Sequence, residues 1–402
     1  MFFFVAIGLI AVVHLYLWKR LVADTTLPRT RARRLGTGVL VALVAIMVAA
    51  LALGTSIDPD LAQWFAWPGY LWLALFFYLL LGLLILELPR LALRRWVRRG
   101  EQRETTGAGT AAANGQGEPA EAPAGVSRRL VLARGSAAVA GVAAAGLTGY
   151  GMTVALGPPT VTSVTMPLRR LDPRAAGCRI ALISDVHLGP ITGRAFTERI
   201  VRLVNEQRPD LVAIAGDLVD GEVEHLAEAA EPLAGLRSTH GTFFVTGNHE
   251  YYSGYEEWVE HVPTLGIRPL RNEHVDIEHN GGVFHLAGIN DHTGYQWQDA
   301  GDVGKAVRGR DADRAVVLVA HQPVDVGSAA GHDVDLMLAG HTHGGQLTPF
   351  ELIVSLQQGA VAGSYQVGGT RMYVTRGAGF WGPPVRVGAP PDITIVELTA
   401  AT

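Results

Sequence analysis

Thiols and lysines are nearly missing from this chain. Cys178 is the sole cysteine among 402 residues, which excludes an intramolecular disulfide framework and any zinc site built on several thiolates. Lys19 and Lys305 stand alone against abundant arginine, a bias of composition that carries no mechanism. The formal net charge of -4 offers no basic field, so no nucleic-acid-binding surface is expected. Aspartate and lysine are also absent from the middles of the long apolar runs, which leaves a transport path without a carrier residue. His14 and Glu87 lie near run ends, where interfacial or bundle-facing placement accounts for them.

What is present divides the chain in two. Thirteen of the fourteen histidines lie beyond residue 180, whereas the first 160 residues hold nearly all the long apolar stretches. Phe2 to Trp18, Gly36 to Thr55 and Gly69 to Leu88 each approach the length a helix needs to cross a hydrocarbon core. Gly135 to Leu156 is a fourth, milder stretch, with Gly141 and Ala145 spaced to let helices approach. Lys19, Arg20, Arg29, Arg31, Arg33 and Arg34 follow the first span, and Arg90, Arg94, Arg95, Arg98 and Arg99 follow the third. The loop between the second and third spans carries Asp58 and Asp60 instead. By the positive-inside rule both basic loops are cytoplasmic and the N-terminus is outside. A fourth span then puts everything after residue 160 outside the cytoplasm.

The expected organisation is therefore an all-α multi-pass membrane region, 1–103, with three transmembrane helices. A disordered, Ala/Gly/Pro/Glu-rich linker follows over 104–129, then a fourth helix or signal anchor over 130–157, and a catalytic domain over 160–402. Ser127-Arg128-Arg129-Leu130-Val131-Leu132 resembles a twin-arginine export signal. Two further positive-inside arginines flanking a helix explain the same residues, and both readings stay open, as does cleavage of the segment.

Beyond residue 160, apolar β-branched runs alternate with amphipathic stretches at Phe196 to Gln207, Val223 to Leu236 and Tyr255 to Leu265, a pattern of α/β layers. Val283 to Ile289, Arg371 to Thr375 and Ile393 to Leu398 read as strands of a second sheet packed on the first. Five runs end in polar motifs: Asp185-Val-His187, Gly216-Asp217, Gly247-Asn248-His249-Glu250, His321, and Gly340-His341-Thr342-His343. Strands buried on both faces would bring these ends to one sheet edge. Asp, His and Asn gathered there make a metal site, with too many donors for one ion. A carboxylate able to bridge two ions is then required, and Asp217, after a permissive glycine, is the candidate.

In order and spacing these motifs, closing with Gly340-His-Thr-His-Gly-Gly-Gln346, resemble the calcineurin-like metallophosphoesterase superfamily over roughly residues 175 to 400. Tyr251-Tyr252-Ser253-Gly254 and the Arg376-Gly-Ala-Gly-Phe-Trp-Gly-Pro-Pro stretch look like its membrane-associated bacterial branch. The resemblance implies a four-layer αββα sandwich. It assigns Asp185, His187 and His343 with Asp217 to one ion, and Asn248, His321 and His341 with Asp217 to the other. His249 would contact the phosphoryl group, stabilising its charge or protonating the leaving oxygen, while Glu250 and Asp220 would orient ligands. A lone histidine after an apolar run is ordinarily structural and a lone Gly-Asp a turn; seven such residues in one family's order reverse that.

This mixed nitrogen and oxygen set suits Mn, Fe, Zn or Co over Ca or Mg. Water held between two such ions becomes an in-line nucleophile on phosphorus. The activity expected is that of a membrane-anchored dinuclear phosphoesterase, foremost a phosphodiesterase. The alternatives are a UDP-2,3-diacylglucosamine-type pyrophosphohydrolase and a metal-bound envelope scaffold without turnover. The substrate partner is a phosphoester, with lipid- and nucleotide-linked forms both open; oligomeric state is not legible. Tyr251 and Arg376 are candidate substrate contacts. His225, His240, His261, His274, His279, His285, His292 and His332 match no motif and are expected in surface or structural roles.

Overall fold

A computed structural model describes residues 2–113 and 128–401. The chain divides into two compact units, one of residues 1–46 and 72–149, the other of residues 47–71 and 150–402.

The first unit is helical. Helix α1 (Phe2–Leu17) runs into a π-helical turn over Trp18–Ala23. It is followed by α2 (Arg31–Leu53), α3 (Pro59–Ala113) and α4 (Arg128–Ala155). The apolar segments Arg31–Leu53, Pro59–Leu93 and Arg128–Ala155 are long enough to cross a membrane. Helix α3 continues to Ala113, ten residues into the segment expected to be disordered. The rest of that linker, up to residue 127, lies outside the described residues. His14 is buried and bonded to Ile10 O and Trp72 Nε1 (2.8 and 3.2 Å), and Glu87 meets Arg20 and the Tyr16 hydroxyl, so both are internal ties. Lys19, Arg20, Arg90 and Arg129 all converge on Asp24.

The second unit is built on two six-stranded sheets. The first contains β1 (Thr160–Leu168), β2 (Arg179–Ile183), β3 (Leu211–Ala215), β4 (Thr242–Val245) and β5 (Ile267–Pro269). The second contains β6 (Glu273–His279), β7 (Gly282–Gly288), β8 (Val316–Val319), β9 (Leu336–Ala339), β10 (Gly363–Val367) and β11 (Thr370–Val374). The last strand, β12 (Asp392–Ala400), returns to the first sheet. The orders are β1-β12-β2-β3-β4-β5 and β10-β11-β9-β8-β7-β6. Pairing is parallel except at β12–β2, β10–β11 and β7–β6. The segment Ile393 to Leu398, expected in the second sheet, is thus a correction: it enters the first between β1 and β2. Periodicity gives a strand but not its neighbours, and β1, which holds its far side, was not foreseen.

Alternation along single strands explains the continuous apolar runs. Leu211, Ala213 and Ala215 face the core between the sheets, with Phe284, Leu286 and Val317 opposite. Val212 and Ile214 face outward, under Ile200, Val204, Leu226 and Trp258. Those covering residues come from α5 (Arg194–Glu206), α6 (Val223–Ala230) and α8 (Tyr255–His261), the last of which follows the one-turn helix α7 (Asn248–Tyr252). The second sheet buries Leu318 and Met337 outward under α9 (Val303–Ala306) and α10 (Val326–Gly331), with α11 (Glu351–Gln358) beyond. Four layers result, αββα. Pro232 and Pro263 end α6 and α8 earlier than expected, in 3-10 turns over Glu231–Gly235 and Val262–Leu265. Truncating Ile214, beneath the strand end that carries Asp217, to alanine should cost about 2–5 kcal/mol.

Candidate metal centre

Parallel strands that share a direction end together, and β2, β3 and β4 deliver Asp185, Asp217 and Asn248 to one edge while β8 and β9 deliver His321 and His341. Backbone bonds lock the β2 end to the β3 end and the β8 end to the β9 end. Asp185 N–H donates to Gly216 O and His187 N–H to Asp217 O, both at 3.1 Å, and Gly340 N–H donates to His321 O at 2.9 Å. Asp185, His187, Asp217, His341 and His343 all have φ between 50° and 70°. Left-handed backbone at a residue bearing a Cβ costs about 1–3 kcal/mol each, so the surroundings must over-determine it. Gly247 and Gly340 make the close approach feasible: a Cβ would collide with the Asp217 carboxylate in one case and with Ser184 Oγ and Asp185 in the other.

Two sets of donors emerge. Asp185, His187 and His343 cluster, as do Asp217, His321 and His341. In the first, His187 Nε2 lies 3.0 Å from His343 Nε2, and His343 Nε2 lies 3.3 Å from Asp185 Oδ1. In the second, His321 Nε2 lies 3.1 Å from His341 Nδ1 and 3.0 Å from Asp217 Oδ2. The same Asp217 oxygen is 3.7 Å from His187 Nε2, so this carboxylate lies between the sets. Asn248 Oδ1 is buried without a hydrogen-bond partner.

These features fit a pair of cations. The His321 ring donates Nδ1–H to Ala215 O (2.7 Å), since a carbonyl can only accept, which turns the Nε2 lone pair inward. The His187 ring gives Nδ1–H to Asp220 (3.0 Å) with the same result. Burial and the neighbouring Asp217 push Asp185 up, while burial of Asp217 is overcome by His321 and His249, which hold it low. Burial and His321 take His341 down to about 3, leaving it neutral. Two buried carboxylates, inward lone pairs and an orphaned amide oxygen make a donor set that suits divalent metal.

His249 stands over this floor. Its backbone N–H donates to Asp217 Oδ1 (2.8 Å) and its Nδ1 meets Asp220 Oδ1 at 2.6 Å. The Tyr252 and Trp381 rings flank it, with centroids 5.6 and 5.8 Å away. Burial opposes its charge, but Asp217 and Asp220 prevail and raise its pKa to about 9. Its ring also lies within ligand reach of His187 and Asp217, so proximity alone does not give its role. Glu250 is fully buried and accepts the backbone N–H groups of Asp217, Leu218 and Gly247 at 3.0, 2.7 and 2.5 Å, which fixes the turns carrying Asp217 and Asn248.

The substrate contacts expected from sequence are placed differently. Tyr251 is buried, its hydroxyl on Asp299 Oδ2 at 2.7 Å, because successive helical residues point about 100° apart and Tyr252 takes the outward direction. Arg376 is paired with Asp392 at 3.2 Å. Arg386 was not anticipated. Fully buried, it donates to His343 O (2.6 Å) and Arg376 O (2.9 Å) and lies 3.0 Å from His343 Nδ1. A lone charge inside Pro-Pro-Val-Arg-Val was the one available signal.

Residues 178–345 match the calcineurin-like phosphoesterase family. A Helicobacter pylori metallophosphoesterase is 41% identical over 258 residues, covering 63% of this chain and 68% of that protein. The chain belongs to the calcineurin-like metallophosphoesterases. An Aquifex aeolicus metallophosphoesterase is 34% identical, with 87% of its length covered. A Danio rerio transmembrane protein with a metallophosphoesterase domain is 39% identical over 262 residues, and the matched part of this chain spans 60% of that relative's length. In this chain the metallophosphoesterase domain follows three helices long and apolar enough to cross a membrane.

Proposed function

We propose that the protein is a membrane-anchored, dinuclear metal-dependent phosphoesterase that cleaves phosphodiesters, with its catalytic unit outside the cytoplasm. The observation that carries this reading is the position of the Asp217 carboxylate between two donor sets, each with its own pair of imidazoles 3.0–3.1 Å apart. Bound there, two divalent ions would supply Lewis acidity and activated water. The chain's residues do the rest. Asp185, His187 and His343 hold one position, Asn248, His321 and His341 the other, and Asp217 both. His249 gives its Nδ1–H to Asp220, directs Nε2 outward and protonates the leaving oxygen. Tyr252 and Trp381 screen that proton from water.

Preference for a diester rests on where the arginines are spent. Arg376 is tied to Asp392 and Arg386 to His343. A dianionic monoester gains most from a free guanidinium, and a monoanionic diester needs it least. The full-length protein in detergent, stripped and reloaded with Mn, Zn, Fe or Mg, should hydrolyse bis-p-nitrophenyl phosphate. Loss of that activity in Asp217→Asn with both ions still bound would leave the bridging role unsupported, and inactivity of a wild-type protein holding two ions would favour the scaffold reading.

The outward orientation has support from charge and packing. The α2–α3 corner, with Asp58 in the connection, Asp60 at the start of α3 and no basic residue, belongs to the same unit as the sandwich. Ala50 near the end of α2 and Ala66 and Tyr70 of α3 pack with Ile191, four residues past His187. A C-terminal alkaline phosphatase fusion should be active; an inactive fusion would turn the site inward and favour a nucleotide-linked glycolipid pyrophosphate.

One surface favours a bilayer-resident substrate. Helix α11 is inside out: Leu352, Ile353 and Leu356 are 63%, 56% and 88% exposed while Gln358 is buried. It starts against Gly345 of the metal motif. Leu347 pairs with Val387, and the adjoining Arg386 N–H donates to Gly151 O of the membrane-crossing α4 at 2.9 Å. An apolar face continuous with a membrane helix end suits insertion at the lipid interface. Leu352→Asp/Leu356→Asp should lower turnover of a phosphodiester lipid in mixed micelles about tenfold or more, the cost of roughly two unburied leucines, and spare bis-p-nitrophenyl phosphate. Equal losses on both would dismiss the idea.

A further inference from the structure

The strands that carry the metal centre at one end carry a second group of donors at the other. Cys178 lies one residue before β2, Asp210 one before β3 and His240 two before β4, and His279 closes β6 in the opposite sheet. Backbone bonds stitch these strand starts together: Asp210 N–H donates to Arg179 O (2.8 Å) and His240 N–H to Asp210 O (2.7 Å). Cys178, Asp210 and His279 each offer a ligand atom within 4.8 Å of the others. His240 Nε2 lies 3.1 Å from His279 Nδ1, with the rings at 78°. That spacing matches the two histidine pairs of the catalytic centre, 3.0 and 3.1 Å.

The partners of these groups point the same way. Asp210 gives Oδ2 to the Arg179 N–H at 2.8 Å, which orients the carboxylate and leaves Oδ1 available. Cys178 is fully buried, at the rim of the core between the sheets. Among the described residues the His240 and His279 rings bond to each other and to no further side chain or carbonyl. Two facing imidazoles beside a carboxylate and a buried thiol are a poor end in themselves and a good start for a cation.

We propose that Cys178, Asp210, His240 and His279 form a third metal site, separate from the catalytic pair, for a single zinc-class ion. One thiolate, one carboxylate and two neutral imidazoles make four donors, the number a closed structural zinc site uses. Loading breaks the Cys178 S–H bond, releases that proton to solvent and forms a sulfur–metal bond with no change of oxidation state. The two anionic donors then balance a divalent charge, so the half-buried site carries no net charge once loaded. The thiolate selects a softer ion here than the all-nitrogen-and-oxygen centre requires. Its consequence is mechanical: His279 belongs to the second sheet and the other three donors to the first, so the ion clamps the two sheets at the end remote from the chemistry.

The single cysteine makes the test specific. The full-length protein in detergent is stripped of metal and titrated with cobalt(II). The catalytic centre has no thiolate, so a near-ultraviolet sulfur-to-cobalt charge-transfer band can come from Cys178 alone. The proposal expects that band, three ions per chain by mass spectrometry, and protection of Cys178 from a thiol reagent once metal is bound. Cys178→Ser should lose the band and one ion while bis-p-nitrophenyl phosphate hydrolysis persists. His279→Ala, which keeps the thiol, should lose the protection and covers the case in which Cys178→Ser does not fold. Absence of the band, with Cys178 equally reactive in the stripped and loaded protein, would overturn it. Neither result touches the catalytic reading, which stands or falls on Asp217→Asn.

Discussion

The two halves of the metal centre are not equivalent. Asp185, His187 and His343 all have left-handed backbone, whereas in the other half His341 alone does. Counting the shared Asp217, the first position has two carboxylates and the second has one, with the neutral Asn248 in the other's place. The first is also held from behind by Asp220 on the His187 ring and by Arg386 on the His343 backbone carbonyl, while the His321 ring leans on a backbone carbonyl. Charge and rigidity both favour tighter binding in the first position. An ion held in the second position would be less neutralised by its ligands, and so the more labile and the stronger Lewis acid.

The largest effect should come from the residue the halves share. Asp217→Asn keeps the shape but removes the anion between two cations. Hydrolysis should fall by about three decades, equivalent to about 4 kcal/mol of lost transition-state stabilisation. Metal content should drop first at the weaker, second position, which anomalous scattering at the metal edges would reveal. Equal loss from both positions would erase the asymmetry.

His249 comes next, because it belongs to neither half. His249→Ala should lower kcat by about 10²–10⁴-fold and leave two ions bound. Its folded pKa of about 9 exceeds the usual 6.5. In the metal-free protein its charged contacts therefore stabilise fully below pH 6.5 and are lost as pH rises through 9. In the loaded enzyme two cations compete for the same carboxylates, so the alkaline limb of kcat should lie below pH 9. An unchanged limb in His249→Ala would assign that titration elsewhere.

Most of this centre could be read in the sequence, and the reason is physical. Buried parallel strands advertise themselves as unbroken apolar runs, and their ends must lie together, so Asp185, Asp217, Asn248, His321 and His341 were placed by strand logic. Tyr251 was misjudged because a run of two tyrosines on one helical turn does not say which faces out. Arg386 was harder to read because its role depends on His343, 43 residues away, a long-range contact that no local pattern encodes. The left-handed ligands were hidden too, since strain is recorded in backbone angles and not in residue type.

Arg386 offers the finest probe of the comparison. It donates to His343 O, which fixes the backbone carrying that ligand, and to no second-position ligand. Arg386→Met retains much of the buried volume and removes that bond. Loss of a group that orients a ligand typically costs about 10–100-fold in metal affinity, and here that cost should fall on the first position alone. Stepwise chelator titration followed by calorimetry should show the tight wild-type site weakening toward the looser one, while kcat at saturating metal changes little. If instead the looser site weakens, the support from behind is not what distinguishes the halves, and the extra carboxylate of Asp185 must carry the difference by itself.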